Sequence, residues 1–231
     1  MKRCHKGIQR KVVASNNKGL TLIESLVAIV VITATLATVT PVVVLAVATR
    51  VQNQRAEQAF QVAQAEIDNI KSVLERGGDT LNLPVTAATV LDASEFEAEV
   101  PAPDTLDALG VANPLYSSTY DNAKAVDVDG DGTADFGVQL FRTVGSTSGT
   151  TPISFDLGVR VYRADAITNN STSLETTQAA LRIARGEGQT GTRPIAVVYT
   201  SLARSDNNNS LCDYYYTQSA AGLTASTPAK C

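Results

Sequence analysis

The chain contains no tryptophan, one methionine and one histidine, and only 5% of its 231 residues are aromatic. Met1 and His5 both lie within the first 19 residues, together with Cys4, one of three cysteines. Beyond residue 19 no imidazole is left to act as a general base or to hold zinc, which excludes Ser-His-Asp and Cys-His chemistry and His-ligated zinc there. Basic charge is scarce in the same region. Six of the 19 Lys and Arg residues precede residue 20 with no acid among them, leaving 13 basic against 23 acidic side chains, a net −10, in the remainder. An acidic body with no Lys/Arg run predicts no nucleic-acid partner, because phosphates need a basic surface.

What the chain has in abundance is one uninterrupted apolar run. Ser25 to Thr49 carries no charge, and roughly 20 such residues suffice to cross a bilayer as a helix. The basic stretch ahead of it (Lys2, Arg3, Lys6, Arg10, Lys11, Lys18) predicts a cytoplasmic N-terminus and places everything after about residue 50 outside. An ordinary secretory signal does not fit, because the run exceeds an h-region of about 7 to 15 residues and no A-x-A-like site closes it. A plain signal anchor accounts for everything except Gly19 and Glu24. Near the bilayer centre a carboxylate costs about 3 kcal/mol, so Glu24 asks for a specific partner charge.

Lys18-Gly19-Leu20-Thr21-Leu22-Ile23-Glu24-Ser25-Leu26-Val27 resembles the class III signal of type IV pilins and type II secretion pseudopilins. The resemblance is strong over about the first 55 residues and architectural beyond them. It implies cleavage by a prepilin peptidase between Gly19 and Leu20, with methylation of Leu20 as the new amino terminus; Leu20 departs from the phenylalanine usual there. It also implies that Glu24 neutralises the N-terminal charge of a neighbouring subunit during assembly, a pairing that offsets the cost of burying either charge. Pilins of this family often carry a proline near position 41, associated with local melting, and a kink or unwound stretch is expected around Ala37 to Pro41. An interior proline removes one helical hydrogen bond, and Thr38 or Thr40 is close enough to satisfy the freed carbonyl.

After Arg50 the pattern turns amphipathic. Ala56, Phe60, Ala63, Ile67, Ile70 and Leu74 alternate steps of four and three, which predicts one buried helical face ending at Gly77-Gly78. From Leu20 to Arg76 the helix has 57 residues, roughly 85 Å at 1.5 Å each. Residues 79–125 are too densely punctuated by Pro, Gly and Asn for long elements. Period-two alternation then predicts strands over 137–144, 154–163 and 195–202, the first two joined by a Gly/Ser/Thr-rich hairpin loop, with Phe155, Leu157, Val159 and Val161 on one face. Residues 174–184 are ambiguous between a short helix and an irregular strand. The fold class is therefore α+β, a long N-terminal helix packed on a small antiparallel sheet. Its organisation is a cleaved basic leader (1–19), a transmembrane and filament-core helix (20–49), an amphipathic helix (50–76), a variable loop region with a calcium loop (77–136), and an antiparallel sheet with a C-terminal region closed by a disulfide (137–231).

The calcium loop is Asp127-Val128-Asp129-Gly130-Asp131-Gly132-Thr133-Ala134-Asp135. Its carboxylates fall at positions 1, 3, 5 and 9 of an EF-hand-type loop, with glycine at 6 and a carbonyl expected from Thr133. Position 12 is Val138 rather than a bidentate glutamate, and the loop leads into a strand. It is thus similar to the short calcium loops of extracellular β-rich proteins, and a structural calcium site of modest affinity is expected. A solvated Asp-Gly turn is the plainer alternative. Cys212 and Cys231 form either one disulfide, closing a 20-residue loop and constraining the unfolded chain by about 3 kcal/mol, or two free thiols; an oxidising compartment favours the disulfide.

These features predict a structural subunit rather than an enzyme: a minor pilin or pseudopilin of a filament serving secretion or motility. Its expected partners are the prepilin peptidase, other pilins met through the N-terminal helix, and an inner-membrane assembly platform. The Arg55–Ala59 stretch and the Ser210–Tyr214 tail resemble pseudopilins of hormogonium polysaccharide secretion. The alternatives are a calcium-dependent, glycan-binding pilin head and a plain membrane-anchored periplasmic protein. The expected location is the inner membrane before assembly and a periplasmic or cell-surface filament afterwards.

Overall fold

A computed structural model describes residues 21–77, 83–109, 119–148, 151–180, 189–205 and 212. The chain divides into two compact units, one ending at Ala46 and the other beginning at Val47. One helix, α1 (Leu22–Glu75), contributes to both.

In the first unit α1 buries nothing. Leu22, Ile29, Val30, Leu36 and Val42 are each more than half exposed, and so are the other large apolar side chains through Val47. The hydroxyls among them are turned inward: Thr33, Thr35, Thr38 and Thr40 donate to carbonyls three or four residues back, at 2.6–3.0 Å. This hides polar atoms from an apolar surrounding. Helical structure continues through Pro41, so the unwound stretch expected around Ala37–Pro41 is not present. Thr38 and Thr40 do not reach the Ala37 carbonyl that proline leaves free; they bond Thr35 and Leu36 instead. Losing a single backbone bond leaves the turns on either side intact.

The second unit is a six-stranded mixed sheet with the remainder of α1 on one face. The strands are β1 (Thr105–Leu106), β2 (Asn122–Val126), β3 (Phe136–Arg142), β4 (Ser146–Ser148), β5 (Thr151–Arg163) and β6 (Ala196–Ala203). The order is β1-β2-β3-β5-β4, and β6 lies along the other edge of β5. All pairings are antiparallel except β1 with β2, which is parallel. The expected antiparallel sheet is thus present with one parallel edge. That edge and β2 come from the region read as loop, where Asn122-Ala123-Lys124-Ala125-Val126 has no β-branched run to announce a strand.

Ala59, Ala63, Ile67, Ile70 and Leu74 of α1 pack on Phe136, Val138, Leu140, Phe155, Leu157, Val159 and Val161. Phe60, expected in this stripe, is 46% exposed, and Ala59 is fully buried in its place. A small residue at that point lets the helix lie close to the sheet. Lys124 donates to Glu66 at 2.6 Å, tying β2 to α1.

The opposite face of the sheet is buried as well. Residues 84–101, including the single turn α2 (Phe96–Glu99), lie across it. Phe96, Val90 and Val100 pack on Phe141, with Tyr199 alongside. Two buried arginines fasten this segment. Arg142 donates to the Pro84 carbonyl at 3.0 Å, and Arg160 donates to the carbonyls of Phe96 at 2.6 Å and Val100 at 2.9 Å. Beyond β5, helix α3 (Ala164–Asn170) sets Ile167 against Tyr162 and Ala123. The described part of 174–184, residues 174–180, is neither helix nor strand.

Candidate functional site

At the start of α1, the Thr21 hydroxyl accepts the Glu24 N–H at 3.3 Å and the Thr21 carbonyl accepts it at 3.0 Å. Thr21 is therefore placed as the N-cap of α1, with Glu24 the acid of the first helical turn. A carboxylate there also complements the positive end of the helix dipole. Gly19 and Leu20, the expected cleavage and methylation site, lie outside the described residues. By length and composition α1 is able to cross a membrane.

The aspartate loop forms the tip of the β2–β3 hairpin. Three of its carboxylates converge: oxygens of Asp127, Asp129 and Asp135 lie within 4.8 Å of one another. Asp127 organises the turn. One of its oxygens accepts the Gly130 N–H at 2.7 Å and the other the Gly132 N–H at 2.8 Å. These bonds hold its carboxyl below the usual carboxylate range. Asp129 accepts the Asp131 N–H at 3.1 Å, and Asp131 accepts the Thr133 N–H at 2.7 Å. Asp135 closes the loop by accepting the Val128 N–H at 2.8 Å, while its own N–H bonds the Val126 carbonyl at 2.9 Å.

Gly130 and Gly132 adopt φ of 79° and 85°, a left-handed conformation that glycine takes without strain. Neither glycine would meet another atom within 4 Å if it carried a Cβ, so backbone conformation rather than space requires them. Asp131, also expected as a ligand, is not one of these three converging carboxylates.

The donor set fits a hard cation. Calcium takes six to eight oxygens, carboxylates among them, and three converging carboxylates repel one another without a counter-charge. Each carboxylate keeps lone pairs beyond those given to backbone N–H groups.

Sequence reasoning missed what adjoins the loop. A cleft of about 220 Å³ is walled by Ala134, Asp135 and Phe136 on one side, with Arg55, Gln58, Arg163 and Asp165 completing it. Arg163 is chelated by Asp165 through two hydrogen bonds. The cleft thus sets two guanidinium groups against two carboxylates and has no net sign. Its only trace in the sequence is the Arg163-Ala164-Asp165 spacing.

Cys212 is half-buried. Cys231, and with it the expected Cys212–Cys231 bridge, lies outside the described residues, as does the Tyr214-Tyr215-Tyr216 tail.

No protein-family model, no curated protein and no solved structure matches this chain. What stands is a pilin-like architecture, one long helix that is apolar in its N-terminal half and packed on a small mixed sheet in its C-terminal half.

Proposed function

We propose that this chain is a structural subunit of a type IV pilus-like or type II secretion-like filament, a minor pilin or pseudopilin. It is inserted in the inner membrane with its N-terminus cytoplasmic, cut by a prepilin peptidase after Gly19, methylated on Leu20, and assembled through its N-terminal helix. The observation that carries this reading is the change of character along α1. Its first part exposes large apolar side chains on every side, whereas from Ala59 onward it supplies one wall of a core. A helix apolar all round needs lipid or other helices about it. Filament growth would exchange the first surrounding for the second, and head-to-tail contacts that do not close give filaments rather than rings. Glu24 has two partners in succession: its own helix terminus in the monomer and the amino group of a neighbour in the filament.

Two further features belong to the exported head. Asp127, Asp129 and Asp135 hold a structural calcium ion, with Asp131 and the Thr133 carbonyl the next oxygens along the loop. Cys212 and Cys231 form a disulfide that closes the C-terminal region.

The test is processing. Wild-type protein and Glu24→Val are expressed with and without a prepilin peptidase, and membrane fractions are analysed by intact mass. Wild type is expected to lose residues 1–19 and gain a methyl group only with the peptidase, while Glu24→Val is cut but fails to enter filaments. Wild-type protein that stays unprocessed beside an active peptidase overturns the proposal.

A further inference from the structure

The aspartate loop contains two consecutive Asp-Gly linkages, Asp129-Gly130 and Asp131-Gly132, with all four residues exposed. Among aspartyl linkages Asp-Gly is the one most open to spontaneous rearrangement, because the glycine nitrogen has no neighbouring Cβ to shield it. In that reaction the glycine nitrogen attacks Cγ of the preceding aspartate. A C–N bond forms, the side-chain hydroxyl leaves as water, and a five-membered succinimide results. Water then opens the ring. Cleavage at the α-carbonyl gives isoaspartate, with the chain rerouted through the side chain and the composition unchanged. No oxidant, cofactor or enzyme is required.

We propose that these two linkages are latent isoaspartate sites and that Asp127 holds both of them back. The two nucleophiles of the reaction are the N–H groups of Gly130 and Gly132, and the two oxygens of Asp127 accept one each, at 2.7 and 2.8 Å. An N–H bonded to a carboxylate gives up its proton reluctantly, because a negative neighbour disfavours the amide anion that attacks. The electrophiles are held as well. One oxygen of Asp129 is engaged by the Asp131 N–H and one of Asp131 by the Thr133 N–H, each two residues along the chain. Packing offers no protection, since nothing lies within 4 Å of where either glycine would carry a side chain. Hydrogen bonding alone keeps the linkages intact. Rearrangement at Asp129 would lengthen the backbone inside the loop and remove one member of the Asp127, Asp129 and Asp135 trio. The modification would therefore dismantle the candidate cation site.

The experiment ages the full-length protein in detergent at neutral pH with a chelator present. Isoaspartate is counted by isoaspartyl methyltransferase labelling and located by peptide mapping. Wild type, Asp127→Asn and Asp135→Asn are compared with wild type held in denaturant. Folded wild type is expected to age at Asp129 and Asp131 about tenfold more slowly than the denatured chain, equivalent to about 1.4 kcal/mol in barrier. Asp127→Asn, whose single carbonyl oxygen replaces two carboxylate oxygens, is expected to approach the denatured rate. Asp135→Asn loosens the loop at Val128 without touching either glycine N–H, and should age like wild type. Equal rates in folded and denatured wild type overturn the proposal. So does an Asp127→Asn rate no faster than wild type, or an Asp135→Asn rate equal to that of Asp127→Asn.

Discussion

The guanidinium of Arg160 donates to the main-chain carbonyl of Phe96 at 2.6 Å, joining residues 64 positions apart across the outer face of the sheet. Arg160 is fully buried. None of the hydrogen bonds described for it goes to a carboxylate; its partners are the carbonyls of Phe96, Val100 and Pro101, the Gln139 side-chain oxygen and the Tyr199 hydroxyl. The ring of Phe141 lies 4.8 Å beneath its charge. The positive charge is solvated by peptide dipoles and an aromatic face, a task suited to the planar, multidentate guanidinium. Residues 84–101 are thereby held on a sheet that they would otherwise leave half bare.

Arg160→Met keeps the bulk and removes every donor. The Val100 carbonyl then remains buried without its partner, at about 1–3 kcal/mol, while the Phe96 carbonyl keeps only the Val100 N–H at 3.2 Å. Arg160→Lys should recover little, since one ammonium cannot span these acceptors. Urea unfolding of the head, followed by tyrosine fluorescence, measures both. A midpoint for Arg160→Met equal to wild type would show that the strap does not depend on this residue.

Gly158 is the second fixed point of the same face. A Cβ there would lie 2.8 Å from Cδ2 of Phe141 and nearer still to Cε2 and Cζ. The ring has nowhere to retreat, because it is stacked edge-on against Phe96 with centroids 4.9 Å apart. Gly158→Ala is expected to lower stability by about 1–3 kcal/mol, the usual cost of overpacking. Adding Phe141→Leu should return part of that loss. Strict additivity in the double mutant would contradict the contact.

These relationships show where the sequence was legible and where it was not. Ala63, Ile67, Ile70 and Leu74 announce a buried helical face because their spacing is local, and Asp127, Asp129 and Asp135 announce their loop for the same reason. Phe60 misleads because burial at that level is decided by how closely the sheet approaches, and the approach favours Ala59. The outer face of β5 misleads further. Asp156 and Arg160 alternate with the apolar residues of β5, yet both are buried, Arg160 against a segment some sixty residues upstream, and no periodicity within β5 reports a cover from so far away. Pro41 reads as a break by local chemistry, whereas the surrounding turns carry the helix through it.

If the trio binds calcium, the head should melt higher with it. A site of sub-millimolar affinity saturated a hundredfold stabilises by about 2.7 kcal/mol, or roughly 5 °C or more for a domain of this size. Asp129→Asn and Asp135→Asn should each abolish most of that shift while leaving the chelated protein close to wild type. Circular-dichroism melts with calcium, magnesium and chelator decide it. A melting temperature indifferent to millimolar calcium removes the site.

Asp127 also predicts a pH dependence whose sign follows from its hydrogen bonds. The Gly132 and Gly130 N–H groups favour the ionised carboxylate and lower its pKa in the folded chain beneath the ordinary 3.8. The unfolded chain therefore takes up this proton first as pH falls. The contribution of Asp127 is fully present above the ordinary value and is lost as pH drops through the folded value. Chelated wild type and Asp127→Asn, compared by urea unfolding, should differ by a constant amount from pH 7 to about pH 5, with the gap narrowing steadily below about pH 4. Asp135→Asn lacks this pair of glycine contacts and serves as the control for general acid weakening. A gap between wild type and Asp127→Asn that widens on acidification would mean that the carboxylate is destabilised by its neighbours, and that Asp129 and Asp135 outweigh the two glycine N–H groups.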